Sequence, residues 1–171
     1  MERALGWIVM LLEKSHIPFQ ITGGLAAHLY GARRPVNDID IDIPNFAFDV
    51  ILPEVRDHII FGPDRYRDST WDIYLMTVDY HGQETDLTGI ENGLIFNKES
   101  GEWERHLVNL TDVTMVEAFG MVLPVQNARD LIHYKRKIGY DEAKHLRDVR
   151  EICRRQHQSI MLSSNPWRDE G

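Results

Sequence analysis

From residue 38 to 43 the chain reads Asp38, Ile39, Asp40, Ile41, Asp42, Ile43, an alternation that an extended strand sorts into two faces. The isoleucines share one face and the aspartates the other. Burying the isoleucine side leaves a row of like charges on the reverse, where repulsion and desolvation both oppose folding. Something positive is expected against that row. Hard divalent cations, which take oxygen ligands, are the natural occupant, and Mg²⁺ commonly brings phosphates with it.

The segments on either side frame this strand. Ala4, Leu5, Ile8, Val9, Leu11 and Leu12 recur at helical spacing, which predicts a helix over residues 2 to 15 that ends before Pro18. Phe19 to Thr22 reads as a short strand feeding Gly23 and Gly24, and Leu25 to Tyr30 as a short helix stopped at Gly31. Pro44 closes the aspartate strand. Phe46 to His58 is expected to be a helix broken early by Pro53, and Gly62 to Thr70 a polar loop. Trp71 to Tyr80 and Glu84 to Leu87 read as strands joined by a tight turn at His81 and Gly82. Residues 94 to 120 have an uneven strand-like pattern. Beyond Pro124 the texture turns helical, over Ala128 to Ile138 and Asp141 to Arg155, with Gly139 between them.

This order predicts an α/β (α+β) fold, a mixed twisted sheet flanked by helices with a helical C-terminal part. The expected division is a core over 1–125, a helical segment packed on it over 126–156, and a loose tail over 157–171 that Trp167 could pin. A formal net charge of −8 argues against broad, sequence-blind DNA binding, whose affinity comes from Lys and Arg displacing counterions. No apolar run reaches membrane-span length, and residues 1–10 lack the basic start and cleavage site of a secretory signal. The single cysteine, Cys153, has no internal partner, which fits a reducing, cytoplasmic setting.

An apolar strand, Gly23-Gly24, a helix, and then Asp38-Ile39-Asp40 resembles the signature of the DNA polymerase β-like nucleotidyltransferase superfamily, in which a third carboxylate comes from a later strand. The likeness is greatest to small single-domain members, the aminoglycoside and lincosamide nucleotidyltransferases and the toxins of abortive-infection systems. It covers about residues 5 to 90, and more loosely the span from Asp130 to Asp148 with Tyr134-Lys135. The resemblance implies a minimal nucleotidyltransferase fold and the transfer of a nucleoside monophosphate from an NTP to an acceptor hydroxyl. It implies two Mg²⁺ ions, or Mn²⁺ in their place, held by Asp38, Asp40 and Asp86. Gly23, Gly24, Arg34 and Lys135 would contact the triphosphate. Where relatives often carry threonine two residues before the first aspartate, this chain has Val36, which removes one hydroxyl contact.

The chemistry accounts for the pattern. Two metal ions about 4 Å apart can activate an attacking oxygen and hold a triphosphate, and aspartates one residue apart on a strand face can bridge them. Glycines let backbone N–H groups approach phosphate oxygens. Asp86 shares its face with Glu84, and Asp72 and Asp79 are alternatives for the third carboxylate. Asp42 reads as a solvated strand-end residue. Arg34 could relieve the acidic cluster through a salt bridge or reach the triphosphate, and Lys135 lies among Arg136 and Lys137 where a helix end favours cations anyway. Lys144 and Asp148, four apart, could pair with each other.

The residues leave the acceptor open. A small molecule such as an aminoglycoside suits an acidic protein. A toxin-type enzyme acting on tRNA or protein would need a basic track, which Arg147, Arg150, Arg154 and Arg155 could supply. A noncatalytic nucleotide- or partner-binding module is the alternative from another class.

Overall fold

A computed structural model describes residues 1–139 and 143–163, with side chains through residue 157. Among these are five α-helices: α1 (Glu2–Lys14), α2 (Gly23–Leu29), α3 (Phe46–Val55), α4 (Ala128–Gly139) and α5 (Ala143–Ser163). The strands are β1 (Gln20–Ile21), β2 (Ile39–Ile43), β3 (Ile59–Arg67), β4 (Trp71–Tyr80), β5 (Gln83–Asn97), β6 (Glu102–Arg105), β7 (Val113–Ala118) and β8 (Met121–Gln126). They form one open, twisted, mixed sheet in the order β3-β4-β5-β2-β1-β8-β7, with β6 paired to β5.

The alternation in β2 does what the sequence demands of it. Ile39, Ile41 and Ile43 are fully buried and join a core that includes Leu5, Ile8 and Leu12 of α1 and Phe48 and Ile51 of α3. Three long aliphatic side chains on one strand, each contributing about 2 kcal/mol through burial, anchor β2 at the centre of the sheet and fix its register. A slip of one residue would send the aspartates into that core.

Several segments depart from expectation. Residues 62 to 67, expected in a polar loop, belong to β3, an edge strand whose pairing with β4 shifts register at Phe61 and again before Asp64. Ladder bonds to β4 outweigh its Gly62-Pro63-Asp64 composition, and an edge tolerates the proline. Helix α3 continues past Pro53 to Val55, whose buried side chain packs the last turn into the core. Strand β5 is far longer than residues 84 to 87, because its outer half takes β6 as a partner. Helix α5 runs to Ser163 rather than ending at Arg155, so the first part of the expected tail is helical. Trp167 lies outside the described residues. No described helix is long and apolar enough to cross a membrane.

Candidate active site

Strands β2 and β5 run parallel, and their register sets Asp40 opposite Asp86. Facing partners on adjacent strands carry their side chains to the same side of the sheet, so a pairing made by the backbone places these two carboxylates together. Asp38 stands just before β2, near enough that its charge raises the pKa of both. All three line a cleft of about 500 Å³. The alternatives separate from it: Asp72 pairs with Arg65 at the sheet edge, and Asp79 caps the Gly82 amide in the β4–β5 turn.

The glycine pair lies against the same acids. The amide of Gly24 donates to Asp40 Oδ2 at 3.1 Å. Gly23 sits in the left-handed region at φ +60°, and a Cβ there would collide with the Asp40 carboxylate. Glycine is therefore required by conformation and by contact together. A Cβ on Gly24 would come within 2.8 Å of the Arg34 guanidinium, which places Arg34 at the same end of α2.

The electrostatics record crowded acids. Burial, then the charge of Asp38 and Asp86, pushes Asp40 up to about 6, against the opposing pull of the Gly24 amide and Lys135. Burial raises Asp86 as well, with Asp38 and Glu84 adding to it, while a 2.6 Å bond from the Thr77 hydroxyl to Oδ1 pulls the other way. Oδ2 of Asp86 has no protein donor among the described residues.

Asp42 differs from its sequence reading. It is 2% exposed, accepts a 2.7 Å bond from Gln20 Nε2 on the facing residue of β1, and is pushed up to about 7 by burial and by Asp40. The expectation of a solvated strand end fails because β2 is central in the sheet and the Asp42 end of its acidic face is covered, Gln20 lying against it.

Asp148 is likewise not the surface partner that the Lys144 spacing suggests. It is fully buried, with its oxygens 3.0 and 2.9 Å from Arg34 Nε and one of them 2.9 Å from Lys135 Nζ. Lys135 is itself 1% exposed, so it stands as a buried ion pair beside Asp40 rather than as an open cation at a helix end. Its neighbours diverge: Arg136 is exposed and Lys137 donates to Glu104. The buried stripe of α5, His145, Asp148, Val149 and Ile152, has helical spacing, and an acid within such a stripe is the signal that would have found Asp148. Thr77 had a weaker signal, its alternation with Ile73 and Leu75 along β4.

The donor set suits a hard cation. Three carboxylates supply oxygen ligands, the charge of Asp38 raising the pKa of the other two, and share a cleft lined by no lysine or arginine among the described residues. As the side chains lie, no three acids or histidines among the described residues close round a common point. One oxygen each of Asp40 and Asp86 is engaged by a protein donor, Gly24 and Thr77 respectively.

Neither a family profile nor a curated protein matches the chain at a significant level. Solved structures do. A candidate nucleotidyltransferase from Thermotoga maritima superposes with a TM-score of 0.62 at 20% identity, covering 95% of this chain and 92% of that one. The lincosamide antibiotic adenylyltransferase LnuA, bound to lincomycin, gives 0.58 at 15% identity over 90% of this chain and 96% of its own. ANT(2″)-Ia in complex with adenylyl-2″-tobramycin gives 0.59 at 14% identity over 94% and 92%. The chain thus has the fold of these nucleotidyltransferases along nearly its whole length.

Proposed function

We propose that the protein is a nucleotidyltransferase that moves a nucleoside monophosphate from an NTP to the hydroxyl of a small-molecule acceptor. The reading rests on the β2–β5 register that brings Asp40 beside Asp86, with Asp38 at hand, next to a glycine-led helix in a cleft of about 500 Å³. The adenylyltransferases that share the fold favour ATP as donor.

In the reaction the acceptor oxygen bonds to the α-phosphorus and the bond from that phosphorus to the leaving pyrophosphate breaks. Asp38, Asp40 and Asp86 would hold two Mg²⁺ ions, which when bound neutralise the triphosphate and acidify the acceptor hydroxyl. Asp86 takes the hydroxyl proton at Oδ2, since Oδ1 is held by Thr77. Gly23 and Gly24 let the Asp40 carboxylate close against the start of α2, where the Gly24 amide holds it, and Arg34, oriented by Asp148, adds positive charge beside them. Lys135 balances Asp40 from behind and reaches a phosphate only by leaving Asp148.

A noncatalytic module would have no need of three mutually repelling carboxylates in one cleft, a costly arrangement without a ligand. Turnover separates the readings: pyrophosphate released from ATP in the presence of Mg²⁺ and a pool of hydroxylated small molecules, and lost in Asp40→Asn, supports the enzyme, and MgATP binding with no pyrophosphate released contradicts it.

A further inference from the structure

The cleft has two chemically different ends. Toward α2 the cleft is lined by Thr22 and Gly23, with Gly24, Arg34 and the buried Lys135 behind them. On the other side of Asp86 the wall is apolar. Ile73, Leu75 and Thr77 alternate onto the cleft along β4, and the row ends where Thr77 bonds to Asp86. Phe61 and Tyr66 of β3 extend it, their rings 5.9 Å apart and perpendicular. Phe61 is 38% exposed, an aromatic face open to the cleft mouth.

Charge narrows what this wall can receive. Asp38, Asp40, Asp42, Glu84 and Asp86 line the cleft, and its one imidazole, His106, is held neutral because burial drives its pKa down to about 4. A nucleic-acid end would bring phosphates against these acids, and the exposed arginines of α5, Arg147, Arg150, Arg154 and Arg155, line no part of the cleft. A polyamine fares little better. Were Asp38, Asp40 and Asp86 to hold metal ions, then with Asp42 held by Gln20 only Glu84 among the lining acids would be left to grip an amine. A cleft of this volume that also admits a nucleotide has room for a small acceptor.

We infer that the β3–β4 wall is the acceptor subsite and that the acceptor is a small, phosphate-free hydroxyl compound with an apolar or aromatic face, laid on Phe61, Tyr66, Ile73 and Leu75 with its hydroxyl toward Asp86. The inference rests on the nucleotidyl-transfer reading for the hydroxyl's role. Aromatic rings accept such a face by stacking and edge contacts, and the aliphatic pair completes a dry floor.

Saturation-transfer NMR on the full chain, with Mg²⁺ and without nucleotide, tests it with 4-nitrophenyl β-D-glucoside and lincomycin as apolar-faced probes, tobramycin as a polyamine, and a tRNA acceptor-stem minihelix. The expected result is binding of an apolar-faced probe, weakened at least fivefold in Phe61→Ser and in Tyr66→Ser, with the Kd for MgATP unchanged. Binding of tobramycin or the minihelix alone, no probe binding, or probe binding indifferent to both substitutions overturns it. Failure of MgATP to bind the wild type would overturn the nucleotidyl-transfer reading instead, and the probe titration still judges the subsite by itself.

Discussion

Arg34, just before β2, and Asp148, on α5, lie 114 residues apart, yet the Arg34 Nε stands 2.9 and 3.0 Å from the two oxygens of the Asp148 carboxylate. The same carboxylate holds Lys135 of α4. One buried acid thus ties the helical C-terminal part to the glycine end of the cleft.

Asp148→Asn should therefore strike both stability and nucleotide affinity. Breaking a buried ion pair leaves an uncompensated charge, here Lys135, and costs about 3–5 kcal/mol. Denaturant unfolding checks this, and the double variant Lys135→Met with Asp148→Leu should recover most of the loss. If Asp148→Asn is as stable as wild type, the pairing contributes nothing in solution.

Gly23→Ala should reduce kcat/KM by about 100-fold or more, because the methyl displaces the Asp40 carboxylate and a shift of about 1 Å at a reacting centre has that effect. Steady-state kinetics checks it. The same substitution at Gly82, where a Cβ meets nothing, should leave the rate intact.

The pH dependence of stability follows from Asp42. Its pKa is near 7 in the folded protein against 3.8 for the free side chain, so the folded state binds the proton more tightly. Its contribution is fully present below about pH 4 and is lost as pH rises toward 7. Asp42→Asn stays neutral and can keep the Gln20 bond. In EDTA, wild-type stability minus that of the variant should fall between pH 4 and 7, and parallel curves would contradict the burial of this acid.

Thr77→Val removes the hydroxyl that holds the Asp86 pKa down. The acid limb of the pH–rate profile should move to higher pH, with activity several-fold lower on that limb and less changed above it. An unmoved limb would take the base role away from Asp86.

Much of the site was legible because its signals are local. Asp38, Asp40 and the glycine pair lie within one strand–helix–strand stretch, where period-two alternation and the turn chemistry of glycine suffice. Asp86 needed pairing information: only the β2–β5 register distinguishes it from Asp72 and Asp79. Asp42 and Asp148 were misjudged for a common reason, since an acid is ordinarily solvated and burial depends on what other elements cover it. Strand β3 was hidden by a composition that reads as a loop until β4 supplies its ladder.

In the proposed reaction Asp38, Asp40 and Asp86 together run nucleotidyl transfer. Its most direct test offers ATP labelled on the α-phosphate, with Mg²⁺, to the protein and a pool of hydroxylated small molecules, and measures labelled adduct and released pyrophosphate together. The account predicts the two in equal amounts from the wild type, and a loss of about 1,000-fold or more in Asp40→Asn, as befits removal of charge stabilisation at the reacting centre. Equal transfer by Asp40→Asn, or transfer undiminished in EDTA, would contradict it.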